Sequence, residues 1–244
     1  MDKYGIIGYP LGHSFSRGFF TEKFAREHIE AQYMNFEIPN VEMLRDVLNE
    51  NPELRGLNVT LPYKTAVIPL LDELSDDARN IGAVNVIRVR NGYLKGFNSD
   101  IIGFMGSIRP LLQPHHKKAL ILGTGGASRA IRVGLTQLGL QWKHVSRSAR
   151  EDMFTYSELS PEILHEYEVI VNCSPVGMYP HVDESPATPY ESLTDRNLLF
   201  DCVYNPESTQ FMQRGAQQGA TVKNGLEMLH LQAIASWEFW NSED

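Results

Sequence analysis

A glycine-rich turn in the middle of the chain is the residue pattern best suited to binding a phosphate. It reads Gly123-Thr124-Gly125-Gly126-Ala127-Ser128 and lies between an apolar run and a helical pattern. Glycines let the backbone turn tightly and approach a pyrophosphate, whose charge is then met by the N-terminus of the helix. Ser128 stands where the dinucleotide fingerprint has its third glycine, and a bare glycine cluster is often only a turn. The position between strand and helix nevertheless favours a dinucleotide site.

The next strand along the chain indicates which dinucleotide is bound. An NAD site usually places a carboxylate about 20 residues after the first glycine, on the ribose hydroxyls. Here the segment reads His144-Val145-Ser146-Arg147-Ser148, followed by Arg150. No carboxylate repels a 2′-phosphate, and a guanidinium can bind one through two hydrogen bonds, with two serine hydroxyls beside it. Solvated surface arginines are the alternative. The sequence predicts NADP, mainly because of Arg147.

Polar side chains are concentrated in four segments of the N-terminal half. The segments are Gly12–Ser16, Asn58–Lys64, Gly82–Asn85 and Gly96–Asp100. Serine and asparagine in turns commonly satisfy local backbone groups, and a single lysine is usually solvated. Taken one at a time, these segments therefore do not predict a site.

The hydrophobic pattern changes after Pro110. Before it, short strands and helices include two runs around Asn91-Gly92, the strongest short hairpin signal. After it, apolar strands alternate with helical stretches, which predicts βαβ units and a parallel sheet. A helix over Leu226–Trp240 closes the chain, and Pro180–Pro189 is predicted to be a surface loop. The predicted strands are Tyr4–Ile7, Tyr33–Ile38, Leu57–Val59, Val84–Arg90, Tyr93–Phe97, Ala119–Leu122, Trp142–Ser146, Glu168–Cys173 and Leu198–Val203.

Composition and charge exclude several classes of protein. The chain has 244 residues, 42% of them hydrophobic, and a formal net charge of −8, which argues against general nucleic-acid binding. The two cysteines, Cys173 and Cys202, are too few for a disulfide scaffold and lack metal-site spacing, so we expect buried thiols and no metal. The sequence pattern predicts neither a signal peptide nor a membrane-spanning run, and we expect a cytoplasmic protein without nucleic-acid or membrane partners.

Taken together and in order, the polar segments resemble the motifs of the shikimate dehydrogenase (shikimate/quinate dehydrogenase) family. The resemblance covers nearly the whole chain. Its motifs are Tyr9–Ser16, Asn58–Lys64, Gly82–Asn85, Gly96–Asp100, the glycine turn, Asn172–Met178, Asp201–Pro206 and Asn224–Leu229 with Gln232-Ala233. The resemblance implies an NADP-dependent oxidoreductase that reversibly reduces 3-dehydroshikimate to shikimate in aromatic amino-acid biosynthesis.

The resemblance also implies roles for individual residues. Lys64 matches the catalytic lysine and Asp100 its partner carboxylate. The positions matching substrate-binding residues are Ser14, Ser16, Asn58, Thr60, Asn85, Tyr204 and Gln232. Those matching cofactor-binding residues are Gly123, Thr124, Gly125, Gly126, Ala127, Ser128, Ser146, Arg147, Ser148, Val203 and Gly225.

The fold implied by the resemblance is α/β, with two domains and an active site in the cleft between them. An N-terminal α/β substrate domain spans 1–101, a Rossmann-type NADP-binding domain spans 102–225, and the C-terminal helix 226–244 returns to the first domain. Ser146-Arg147-Ser148 replaces the family's familiar Asn-Arg-Thr, which keeps the central arginine. We expect a monomer or a homodimer.

Two other functions are compatible with parts of this pattern. An enzyme that also oxidises quinate is one, but relatives accepting quinate tend to have Thr at the position of Ser16 and an acidic second strand. A non-catalytic NADP-binding sensor is the other, and it would be expected to have lost Lys64 or Asp100. Ser16 and Arg147 favour shikimate and NADP over quinate and NAD. The presence of Lys64 and Asp100 favours an enzyme over a sensor.

Overall fold

The computed structural model of the protein describes residues 1–12 and 15–243. Within this part, the chain divides into two compact units, each with its own sheet and hydrophobic core. The first unit contains Met1–Ser99 and the chain from Gln232 onwards, and the second contains Asp100–Leu231. By this division, the helix Leu226–Asn241 begins in the second unit and continues in the first unit from Gln232.

The described residues form β-strands and α-helices, which are numbered in chain order. The strands are β1 Asp2–Gly8, β2 Ala31–Glu37, β3 Leu54–Val59, β4 Glu73–Leu74, β5 Val86–Arg90, β6 Tyr93–Phe97, β7 Lys118–Leu122, β8 Gln141–Ser146, β9 Met153–Thr155, β10 Val169–Asn172, β11 Leu198–Asp201 and β12 Thr221–Lys223. The α-helices are α1 Phe15–Arg26, α2 Leu44–Glu50, α3 Tyr63–Ala66, α4 Asp76–Ile81, α5 Asp100–Ile108, α6 Gly126–Gln137, α7 Pro161–Glu166, α8 Gln210–Gln217 and α9 Leu226–Asn241.

The first unit is built on a mixed sheet with the strand order β2-β1-β3-β5-β6-β4. β1 pairs in parallel with β2 and β3, and β5 runs antiparallel to both β3 and β6. The predicted hairpin is confirmed, since Asn91 and Gly92 join β5 to β6 with positive φ values of 50° and 80°. With these strand directions, the carboxyl ends of β1, β3 and β6 and the beginning of β5 share one edge. Three of the polar segments lie at that edge, namely Asn58–Lys64, Gly82–Asn85 and Gly96–Ser99.

The two faces of this sheet are packed differently. One face is aliphatic and includes Ile7, Leu44 and Leu57, all of which are fully buried. The other face is aromatic, because Phe20 of α1 stacks on Tyr33 with ring centroids 4.9 Å apart, and Trp240 of α9 packs against both. The end of α9 is therefore part of the first unit's core.

Helix α1 begins earlier than the sequence suggests. The sequence predicts a loop through Ser16, but the helix begins at Phe15, so Ser16 lies in its first turn. Phe20 and Phe24, one turn apart on this helix, are both buried, with 0% and 4% of their surfaces exposed. His13 and Ser14 lie outside the described residues.

The second unit has a parallel sheet with the order β12-β11-β10-β7-β8-β9, as the alternating pattern predicts. Hydrophobic clusters cover both of its faces, which explains the unbroken apolar run of β7. Both cysteines are free, and they are half-buried rather than fully buried. The sequence pattern does not predict α5, α7, α8, β9 or β12. Two glycines lower the helix propensity of α5, and the two strands are too short to show a period.

The contact between Gly56 of β3 and Trp240 yields a stability prediction. A Cβ atom added at Gly56 would lie 2.2 Å from Trp240 Cδ1, so the Gly56→Ala variant should lose about 1–3 kcal/mol of unfolding free energy through overpacking. Gly18→Ala is the matched control, because a Cβ there meets no atom within 4 Å and lies inside α1. It should gain about 0.5–1 kcal/mol. Equal urea denaturation midpoints for the two variants would contradict this packing.

Candidate functional site

A cavity of about 550 Å³ opens in the second unit at the carboxyl ends of its central strands. Between β7 and β10 the strand order reverses direction, and ligands of parallel α/β sheets bind at such switch points. The volume lies within the range of roughly 300–1,000 Å³ that is usual for ligand pockets. The cavity is lined by Gly123, Thr124, Gly125, Val145, Ser146, Arg147, Ser148, Arg150, Tyr156, Cys173, Ser174, Pro175, Val176, Ser185, Pro186 and Ala187.

The glycine turn forms one wall of the cavity. Gly123 has a φ of +103°, which favours glycine, and its N–H donates to the carbonyl of Val145 at 2.9 Å. Gly125 is the N-cap of α6, so the backbone N–H groups of the first helical turn are directed towards this end of the helix. The Ser128 hydroxyl donates to the carbonyl of Gly125 at 2.6 Å. Ser128 thus holds the turn in shape, which accounts for a serine at the third glycine position.

The end of β8 gives the cavity its positive charge. Arg147 and Arg150 are both exposed and line the cavity together with Ser146 and Ser148. Among the described residues that line it, none carries a carboxylate. Two guanidinium groups without a competing negative charge suit a phosphate monoester, and the backbone of the glycine turn suits a pyrophosphate. The residues present therefore fit NADP.

The two loops after β10 and β11 are held by a buried hydrogen-bond network. Asp201 is fully buried and accepts hydrogen bonds from Asn172 Nδ2 at 3.0 Å, Val203 N at 3.0 Å and Thr209 Oγ1 at 2.6 Å. Asn172 Oδ1 accepts in turn from the Ser174 N–H at 3.0 Å and the Ser174 hydroxyl at 2.7 Å. Burial raises the pKa of Asp201 to about 6. The network fixes the cavity wall that Ser174 helps to form.

Near the ends of β11 and β12 lie three predicted residues that are not among the residues lining the cavity, namely Val203, Tyr204 and Gly225. The N–H of Gly225 donates to the carbonyl of Val203 at 3.0 Å. A Cβ atom on Gly225 would lie 2.3 Å from the carbonyl oxygen of Cys202, so only glycine fits. Tyr204 is 40% exposed. Gly126 and Ala127 lie in the first turn of α6, directly after the lining residues.

In the first unit, three of the predicted substrate residues lie at one edge of the sheet, namely Asn58, Thr60 and Asn85. Asn58 and Asn85 are buried, with 9% and 6% of their surfaces exposed. Thr60 follows β3, and Ser16 and Gln232 are half-buried. The Tyr33 hydroxyl donates to Asn58 Oδ1 at 2.7 Å. Two of the predicted side chains therefore already belong to a buried polar network.

The predicted catalytic pair is divided between the two units. Lys64 is half-buried in α3, and its carbonyl accepts from the Val84 N–H at 2.7 Å. Asp100 is the first residue of α5 and is 4% exposed. Since Lys64 belongs to the first unit and Asp100 to the second, their pairing stays a prediction.

Two kinds of feature do not occur in the described part of the chain. None of its helices is long and apolar enough to cross a bilayer. It contains no group of three or more His, Cys, Asp or Glu side chains arranged to hold a metal ion.

Comparisons with known proteins bear on both units. Residues 6–87 match the family model described as the shikimate dehydrogenase substrate binding domain. The shikimate dehydrogenase (NADP(+)) of Nostoc sp. is 36% identical over 263 residues, which cover 98% of this chain and 91% of the relative. This chain belongs to the shikimate dehydrogenase family.

Solved structures extend the likeness to the fold. Shikimate 5-dehydrogenase of Thermus thermophilus, in complex with NADP(H) and shikimate, is 30% identical with a TM-score of 0.86, covering 99% of this chain and 94% of that one. The ligand-free 5-ketofructose reductase of Gluconobacter sp. strain CHM43 is 28% identical with the same TM-score, covering 98% and 92%. The α/β fold of a substrate domain and a Rossmann-type domain is thus the family's, and it is shared by an enzyme named for another substrate.

Several residues that line the cavity of this shikimate dehydrogenase family member are not predicted from the sequence. Cys173, Ser174 and Val176 lie in a motif that the resemblance includes but to which it assigns no role. Ser185–Ala187 belongs to the segment predicted only as a surface loop. Tyr156 carries no motif signal, and burial raises the pKa of its hydroxyl. Proximity to the glycine turn could be read only from the three-dimensional structure.

The raised pKa of Asp201 predicts a pH dependence of stability. An unfolded aspartate titrates near pH 3.9, so the folded chain holds this proton more tightly between about pH 4 and 6. The contribution of Asp201 to the free energy of unfolding therefore falls as the pH rises through that window. Relative to the wild type, the Asp201→Asn variant should gain about 2–3 kcal/mol between pH 4 and pH 7.

Urea denaturation at each pH measures this difference. Asp195→Asn changes an exposed aspartate of the same unit and should follow the wild-type profile. A constant difference between the Asp201→Asn variant and the wild type from pH 4 to pH 7 would show that Asp201 does not titrate in this window.

Proposed function

We propose that this protein is an NADP-dependent shikimate dehydrogenase that reversibly reduces 3-dehydroshikimate to shikimate in aromatic amino-acid biosynthesis. Membership of the shikimate dehydrogenase family supports the reaction. The observation that carries the choice of cofactor is the cavity of the second unit, where Arg147 lies beside the glycine turn on a wall without carboxylates. We assign the 2′-phosphate of NADP to Arg147, with Ser146 and Ser148 as further donors.

The chemistry requires a proton source at the substrate oxygen. Bound NADPH supplies the hydride that reduces the carbonyl carbon. We assign to the Lys64 ammonium the stabilisation of the charge that develops on the oxygen and the donation of a proton to it. In the reverse direction, the neutral amine of Lys64 accepts that proton. Asp100 is assigned as the partner carboxylate that orients the lysine and the substrate hydroxyl.

The remaining substrate residues are neutral hydrogen-bonding groups. Such groups can bind a polyhydroxylated acid without the large desolvation cost of a buried charge. We assign substrate contacts to Ser14, Ser16, Asn58, Thr60, Asn85, Tyr204 and Gln232, and contacts at the nicotinamide end to Val203 and Gly225. Ser14 lies outside the described residues, so its assignment is supported by its motif alone.

The steady-state assay that tests this proposal crosses three alcohols with two cofactors. Shikimate, quinate and the reduced form of 5-ketofructose should each be offered with NADP and with NAD. We expect the highest kcat/KM for shikimate with NADP. A higher kcat/KM for quinate would favour the dual quinate/shikimate alternative, and turnover of the ketofructose product alone would overturn the proposal.

Lys64 gives a prediction about the chemical step. The Lys64→Ala variant should lose a factor of about 100–10,000 in kcat, because a proton donor acting in the transition state is removed. Its affinity for shikimate, measured by calorimetry without turnover, should change much less. An unchanged kcat with a raised KM would make Lys64 a binding residue.

Arg147 gives a prediction about the cofactor. The Arg147→Ala variant should raise KM for NADPH by about 10–100-fold through the loss of charge-assisted hydrogen bonds, and leave KM for NADH nearly unchanged. Arg109→Ala, at an exposed arginine of the same unit outside the cavity lining, is the matched control. Equal effects of the Arg147 variant on both cofactors would contradict the assignment of the 2′-phosphate.

A further inference from the structure

Two buried side-chain amides in the first unit have orientations that the backbone dictates. Asn58 Nδ2 approaches the carbonyl oxygen of Asn85 at 3.4 Å, and Asn85 Oδ1 accepts from the backbone N–H of Ser99 at 2.7 Å. A backbone N–H can only donate and a carbonyl oxygen can only accept. The oxygen and nitrogen of both amides are therefore assigned without ambiguity.

Tyr33 holds the oxygen side of the Asn58 amide. Its hydroxyl donates to Asn58 Oδ1 at 2.7 Å and is also hydrogen-bonded to Ser16. Since the single tyrosine hydrogen is used on Asn58, the hydroxyl of Ser16 must be the donor to Tyr33. Tyr33 is 4% exposed, and burial raises its pKa far above the usual range, so it remains a donor at every working pH. Tyr33 thus connects two predicted substrate residues.

Ser236 of α9 holds the nitrogen side of the same amide. Its hydroxyl donates to the carbonyl of Gln232 at 2.8 Å, so its oxygen can only accept from its other partners. Asn58 Nδ2 donates to it at 3.0 Å. Ser99 Oγ lies 3.4 Å away and must also be a donor, while it accepts from Asn85 Nδ2 at 3.0 Å. Every hydrogen bond around Ser236, which is 1% exposed, therefore has a fixed direction.

The network leaves Asn58 little freedom. Tyr33 occupies one lone pair of Oδ1, and both amide hydrogens have acceptors inside the unit, on Ser236 and Asn85. Rotating the amide by 180° would set acceptor against acceptor at the Asn85 carbonyl and at the Ser236 oxygen, whose hydrogen is used on Gln232. Asn58 can therefore offer a ligand the second lone pair of Oδ1, and the fixed amide points this lone pair in a single direction.

We propose that Tyr33 and Ser236 are positioning residues that hold Asn58 in this one orientation and thereby set the affinity for the hydroxylated substrate. The inference rests on the proposed function, because it assumes that Asn58 and Ser16 bind shikimate. Neither Tyr33 nor Ser236 is assigned a contact with substrate or cofactor. Their effect is exerted before binding, by removing the cost of ordering the amide when substrate arrives.

The test is the Tyr33→Phe and Ser236→Ala variants, assayed beside the wild type. Each should raise KM for shikimate, and the dissociation constant of shikimate measured by calorimetry without cofactor, by about tenfold. KM for NADP should be unchanged, and kcat should stay within about threefold of the wild type. In the double variant, the increase in KM should be smaller than the product of the two single increases, because both residues act through the same amide.

Matched controls separate positioning from packing. Tyr4→Phe changes the tyrosine that pairs with Tyr33 in the β1–β2 register and is also 4% exposed. Ser107→Ala changes a serine that is also 1% exposed and also bonded to a carbonyl of its own helix, that of Phe104. Both controls should leave the KM for shikimate unchanged, whatever they do to the melting temperature.

Each outcome decides the question. If the wild type turns over shikimate and the Tyr33 and Ser236 variants keep its KM, or change it no more than their controls do, the inference is wrong and the proposed function stands. A lowered melting temperature with an unchanged KM would show a purely structural role and also overturn the inference. If the wild type neither binds nor oxidises shikimate, the proposed function and this inference fall together.

Discussion

A buried polar group must find its hydrogen-bond partner inside the protein, and the loops that carry the chemistry of this chain depend on that requirement. In the first unit, Asn58, Asn85 and Ser236 are nearly or fully buried, and in the second, Asn172 and Asp201 are fully buried. Leaving one such group unpaired costs about 1–3 kcal/mol. Some of these bonds join different elements, since Asn58 of β3 bonds to Tyr33 of β2 and to Ser236 of α9, and Asn172 of β10 bonds to Asp201 of β11.

The two hydrogen-bond networks hold residues that have different proposed roles. In the first unit, Tyr33 and Ser236 orient the amide of Asn58, which we assign to the substrate. The last helix therefore contributes the Ser236 hydroxyl to this network as well as the apolar contacts of Trp240. In the second unit, Asp201 and Asn172 shape the wall formed by Ser174. The glycine turn forms another wall of the cavity and presents backbone N–H groups, which suit a pyrophosphate. We assign the preference of this cavity for NADP over NAD to Arg147, which is exposed.

Much of the architecture follows from local patterns in the chain. The Asn91-Gly92 hairpin and the buried strand before Gly123 need only turn chemistry and hydrophobic period, and both are confirmed. Helix α5 shows no such pattern, because its glycines lower its propensity and the rest of it is apolar on most sides. Arg147 was predicted from its distance along the chain to Gly123. Tyr156 and Ser185–Ala187 line the same cavity at separations that no local pattern encodes.

The sequence by itself determined most of the strands, the glycine turn, the basic end of β8 and the resemblance to the family to which the chain belongs. Only the tertiary structure decided which groups hold the functional side chains. Tyr33 is 25 residues from Asn58 along the chain and Ser236 is 178 residues from it, yet both bond to the same amide. Hydrophobic periodicity specifies which face of an element is buried. It does not specify which polar group of a distant element lies opposite, since that is fixed only when the elements pack.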